Sequence, residues 1–124
     1  MNEDILDLVG KTLTSAIEDK TENALTLTTS DGDVYRMDHS QDCCETVYLE
    51  DTNGDWEDVM GVPLLLAEEA SCYSETDFGN LEWTFYRFAT VKGYVNLTWR
   101  GESNGYYSTR VRVYKEAPGR KSGE

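Results

Sequence analysis

Apolar residues recur along this chain mostly at a period of two, the mark of half-buried strands rather than amphipathic helices. Ala24–Thr29 alternates strictly, with Leu25 and Leu27 on one face, and Asp31-Gly32 then reads as a hairpin turn into a strand over Asp33–Asp38. Before it, Thr12–Ile17 alternates loosely and Glu18–Asn23 is a polar loop. Val47–Glu50 predicts another strand, punctuated by Asn53-Gly54. Pro63 opens an apolar run to Ala67 whose length suits a core strand, and Ser71–Asn80 reads as a loop. From Leu81 onward the pattern is clearest. It predicts a long strand over Leu81–Thr90, a turn at Lys92-Gly93, a strand over Tyr94–Arg100, a loop over Gly101–Gly105 and a strand over Tyr106–Lys115, together a meander. In that stretch Val95, Leu97 and Trp99 share a face, while Arg110 and Arg112 oppose Val111 and Val113.

Helical signals are short. Asn2–Val9 spaces Ile5, Leu8 and Val9 helically, with Asn2 as N-cap and Gly10 closing, and Asp55–Gly61 reads as one capped turn. Strands joined by hairpins pair antiparallel by default. The expected fold is therefore mainly β, or α+β: a curved antiparallel sheet, a small sandwich or a partly open barrel, with one or two short helices. At 124 residues there is room for one domain, which buries about two-thirds of its unfolded surface. It is placed at 1–116, with 117–124 as a flexible tail.

Composition supports folding: 39% of residues are hydrophobic, including eight Tyr and three Trp, which outweighs a net charge of −13 as a signal for disorder. The longest apolar run, Val62–Ala67, is far short of a membrane span. The acidic start, Met-Asn-Glu-Asp, lacks the basic region of a secretory signal, so a cytoplasmic protein with no membrane partner is expected. Charge is unevenly placed. Residues 1–80 carry 3 Lys/Arg against 20 Asp/Glu, and residues 81–124 carry 8 against 4. The acidic excess repels nucleic acid, so no direct nucleic-acid partner is expected. Two readings of the basic end follow: basic strands neutralise acidic neighbours, or Arg100, Arg110 and Arg112 build a local anion site.

His39-Ser40-Gln41-Asp42-Cys43-Cys44-Glu45 is the densest stretch of acid–base and ligand-grade side chains. Zinc on His39, Cys43, Cys44 and Cys72 is weighed and set aside, because adjacent cysteines point apart in most conformations and no C-x-x-C is present. A Cys43 or Cys44 nucleophile with His39 as base rests on proximity alone. A disulfide between neighbours is strained, so the three cysteines are expected reduced and buried as small hydrophobes, with no metal and no other cofactor. Asp51–Asp55 misplaces the glycine and the twelfth ligand of a calcium loop and is read as a turn. Ser103–Ser108 joins a glycine turn to Tyr106 and Tyr107, of which a strand buries only one; the other offers a ring near Arg100 and Arg110, suited to a nucleobase and its phosphate.

Tyr35, the stretch His39–Asp51, Trp83-Thr84-Phe85-Tyr86 and Ser103–Ser108 together resemble a family of small bacteriophage and prophage proteins grouped as a domain of unknown function. The resemblance spans roughly 8–114. It implies a viral context, hence the host cell cytoplasm, and brings no established catalytic residues. Its signature segments overlap the two polar stretches, which are therefore treated as one candidate ligand site: His39, Gln41, Asp42, Glu45, Arg100, Asn104, Tyr106, Tyr107 and Arg110. Three functions are weighed. The first is a non-enzymatic sponge that sequesters a small nucleotide-derived immune signal. The second is an acidic inhibitor of a host defence protein, imitating nucleic acid through the acids at 50, 51, 55, 57, 58, 68 and 69. The third is a small hydrolase using His39, which lacks a paired-His metal signature and a phosphate-cradling loop. Homo-oligomer formation through open strand edges is a further expectation.

Overall fold

In a computed structural model, which describes residues 3–77, 79–105 and 107–116, eight strands form two four-stranded antiparallel sheets. In chain order the elements are α1 (Glu3–Asp7), β1 (Leu13–Asp19), β2 (Ala24–Thr29), β3 (Val34–Asp38), β4 (Thr46–Gly54), a single 3₁₀ turn (Trp56–Val59), β5 (Leu66–Thr76), β6 (Gly79–Ala89), β7 (Tyr94–Ser103) and β8 (Arg112–Lys115). One sheet runs β1-β2-β3-β8 and the other β4-β7-β6-β5. The molecule is a small β sandwich, and of the three expected architectures neither the single curved sheet nor the barrel is formed.

The alternation read from the sequence places the core. Leu25, Leu27, Tyr35 and Met37 from one sheet meet Tyr86, Phe88, Val95, Leu97 and Trp99 from the other in a single buried cluster. Burying each such side chain fully contributes roughly 1.5–3 kcal/mol. Ile5 and Leu8 of the N-terminal segment join it, whereas Val9 is exposed. Helix α1 is shorter than the predicted Asn2–Val9, and Asn2 lies outside the described residues. The Asp55 carboxylate caps the 3₁₀ turn by accepting from Glu57 N, as its position before the turn predicts.

Four expectations are corrected. The segment 71–80, read as a loop, is instead the end of β5 and the start of β6, paired in register from Leu66↔Ala89 to Thr76↔Gly79. As a sheet-edge strand β5 is held by its backbone ladder, so polar Glu68, Ser71 and Ser74 are tolerated where an inner strand needs apolar residues. The run 63–67 is correspondingly no core strand: Leu64 is buried, Leu65 faces solvent, and β5 only begins at Leu66. The closing meander is also not formed. β6 and β7 pair, but the chain then leaves that sheet, and residues 107–111 are irregular before β8 joins β3 in the other one. Asn53-Gly54, read as punctuation, lies within β4 opposite Asn96 and Val95.

The Tyr35 hydroxyl and the Trp99 indole N–H are buried without a hydrogen-bond partner among the described residues. Removing an unsatisfied buried hydroxyl relieves its desolvation cost. Tyr35→Phe is therefore expected to leave stability unchanged or raise it by about 1 kcal/mol. A urea unfolding midpoint that falls instead would reveal that the hydroxyl is satisfied.

Candidate functional site

The polar stretch that follows β3 is organised around one buried carboxylate. Glu45, whose side chain is 0% exposed, accepts from His39 Nε2 at 2.8 Å, from the Asp42 amide at 2.8 Å and from the Cys43 amide at 2.9 Å. His39 Nδ1 lies 2.7 Å from the carbonyl oxygen of Arg110. His39 thereby bridges the Glu45 carboxylate and the Arg110 carbonyl, with both ring nitrogens engaged. Gln41 completes the turn, donating to the carbonyls of Cys43 and Glu45 at 3.2 and 2.6 Å. Burial raises the Glu45 pKa, but the His39 ring and the two amides outweigh it and bring it down to about 2.

The 39–45 and 103–108 stretches, treated as one candidate site in the sequence, lie in contact. Besides the His39–Arg110 bond, the Tyr107 hydroxyl hydrogen-bonds to Cys43, which raises the tyrosine pKa, with burial adding to the effect. What the two segments build differs from the expectation. His39, Gln41 and Glu45 are committed to each other and to backbone, and Asp42 contributes its amide rather than its carboxylate. With both nitrogens engaged, His39 is not free to serve Cys43 or Cys44 as a base. The cysteines are exposed rather than buried, and the Cys43 and Cys44 sulfurs converge to 2.6 Å instead of pointing apart. Cys72 sits on β5 opposite Trp83, away from them. Among the described residues no three His, Cys, Asp or Glu side chains come together to hold a metal ion.

The arginines are separated too. Arg100 lies on the outward face of β7, pairs with Glu102, donates to the Tyr48 hydroxyl at 3.4 Å and stacks 5.5 Å from the Trp83 ring centre. Arg112 donates to Asp38 at 2.8 Å, as Arg36 does at 3.0 Å and the Tyr114 hydroxyl at 3.1 Å. Asp38 thus anchors β8 to β3, a role that no sequence motif signals. Basic strands neutralising acidic neighbours is the reading these pairs bear out, and the three-arginine anion site does not form.

Arg110 alone stays uncommitted: among the described residues no carboxylate pairs with its guanidinium. It lines a polar cleft of about 420 Å³ with Tyr73, Asn80, Glu82, Ser103 and Tyr107. The long β5–β6 hairpin, missed in the sequence as a loop, supplies one wall, and the 107–110 segment supplies the other. That segment sits close because β7 carries Gly101 beneath it. A Cβ at that position would come within 2.7 Å of the Thr109 side chain, whose hydroxyl donates to Glu82 at 2.8 Å. Asn104 lines a neighbouring cleft of about 400 Å³ on the outward side, with Cys44, Thr46, Leu81 and Glu102. Tyr106 lies outside the described residues, and Tyr107 stands in a loop instead of a strand.

A family described as a domain of unknown function, DUF7448, matches residues 6–113. The chain belongs to that family. No curated protein and no solved structure matches it. In this DUF7448 chain the match takes in both sheets, the 39–45 turn and the cleft lined by Arg110, and it ends within β8. No helix among the described residues is long and apolar enough to cross a membrane.

Proposed function

We propose that the protein is a non-enzymatic binder that holds a small nucleotide-derived anion in the cleft between the β5–β6 hairpin and the 107–110 segment. Arg110 carries this reading, because an unpaired guanidinium beside the Tyr73 and Tyr107 rings offers charge-assisted hydrogen bonds and aromatic faces to one ligand. The volume, about 420 Å³, lies within the range of small-molecule sites. The net charge of −13 favours a small ligand over a polyanion, since an acidic body repels a nucleic-acid chain at long range. The hydrolase reading loses its base, because both His39 nitrogens are engaged. The resemblance to phage and prophage proteins supplies the context: sequestration of a host immune signal in the host cytoplasm.

Native mass spectrometry after incubation with lysate from phage-challenged cells tests it. The expected result is a non-covalent adduct of a few hundred daltons. Binding of that adduct should weaken by about ten-fold or more in Arg110→Ala and stay intact in Arg100→Ala, whose guanidinium is on the outward face. Equal binding by wild type and Arg110→Ala would overturn the cleft as the site. A bare mass in wild type would overturn the sponge and favour the acidic-inhibitor reading. The acids named for that reading divide between β4 with its following turn and β5 at the opposite edge of the sheet.

A further inference from the structure

Adjacent cysteines are reactive as a pair only if the backbone turns both thiols to the same side, and here it does. The Cys43 and Cys44 sulfurs lie 2.6 Å apart, and both residues are exposed. Their backbone is not left to wander. The Cys43 amide and the preceding Asp42 amide are both pinned by the buried Glu45 carboxylate, and the Cys43 carbonyl is held by Gln41. The two thiols also differ in surroundings. Cys43 is in contact with the Tyr107 hydroxyl, whereas Cys44 lines the outward cleft with Thr46, Glu102, Ser103 and Asn104.

We propose that Cys43 and Cys44 form a reversible dithiol–disulfide site oxidised by low-molecular-weight disulfides. One of the two thiolates attacks one sulfur of such a disulfide, giving a mixed disulfide and expelling one thiolate. The neighbouring thiolate then attacks the protein sulfur of that mixed disulfide, forming the Cys43–Cys44 bond and expelling the second. Two electrons and two protons pass from the protein to the oxidant, which leaves as two thiols. Consecutive α-carbons are about 3.8 Å apart, below the span of ordinary disulfides, so the product is strained and readily reduced. Such a bond suits a reversible modification and not a structural staple. The inference is independent of the ligand-binding reading, since it concerns thiols outside the Arg110 cleft and is read by mass alone.

The test uses the full chain carrying Cys72→Ser, because Cys72 is also exposed and would add its own adduct. After treatment with oxidised glutathione, the intact mass should fall by two hydrogens with no retained glutathione. Peptide mapping should place the bond between Cys43 and Cys44, and reduced glutathione should restore the original mass. With Cys43→Ser added, the reaction should stop at one glutathione on Cys44. Glutathione retained on both cysteines, a bond between two chains, or no reaction at either thiol would each overturn the proposal.

Discussion

Glu45→Ala is expected to lower the thermal unfolding midpoint by on the order of 10 °C, the effect of leaving several buried polar groups without their acceptor in a domain of this size. The carboxylate satisfies His39 and the amides of Asp42 and Cys43, so its loss leaves a buried ring nitrogen and two backbone donors without their partner. Glu45→Gln keeps the acceptor oxygen and removes the charge, and should fall between alanine and wild type. A midpoint within about 2 °C of wild type in the alanine variant would show that the turn is held by something else. Acid acts on the same group. Its pKa is 4.5 unfolded and about 2 folded, so its stabilisation is present above about 4.5 and is lost as pH falls toward 2. Urea midpoints measured between pH 6 and pH 2.5 should decline through that window, and the decline should be shallower in Glu45→Gln.

A second large effect is expected at Asp38, which is 7% exposed and receives Arg36, Arg112 and the Tyr114 hydroxyl. Burial pushes its pKa up, but the Arg112 and Arg36 guanidiniums outweigh it and hold the group ionised below the usual carboxylate range. Asp38→Ala leaves two guanidiniums facing each other on paired strands. The expected cost is about 2–3 kcal/mol, less than for a fully buried pair because Arg112 is half exposed. Since β8 pairs, among the described residues, only with β3, loss of stability should be concentrated there. Amide hydrogen exchange at Val113 and Tyr114 should accelerate well beyond that of β6 and β7. Uniform acceleration across both sheets would mean that Asp38 supports the whole core and not this strand in particular, and a change below about 0.5 kcal/mol would remove its anchoring role.

Both residues lie at the margin of what sequence reading reached. Glu45 was among the candidate ligand contacts, and Asp38 was only the last residue of a predicted strand. Their partners explain why. His39 finds Arg110 71 positions away, and Asp38 finds Arg112 74 positions away, across a connection between different sheets. No local pattern encodes such a pairing. The cleft was hidden for a related reason: its hairpin wall is an edge strand with little apolar periodicity, held by a ladder to β6.

Period-two alternation, turn residues and capping acids are local properties, and they sufficed for the mainly β class, the Asp31-Gly32 and Lys92-Gly93 turns, the Asp55 cap and the inward faces of β2 and β7. They also placed Val111 and Val113 inside with Arg110 and Arg112 outside. Tertiary structure alone decided that β8 leaves its predicted neighbours for β3. It also decided that Glu45 is buried, that the adjacent thiols converge, and that the three arginines separate to leave only Arg110 uncommitted in a cleft. Each of those outcomes depends on which distant backbone or charge arrives alongside, and only the packed sandwich supplies that neighbour.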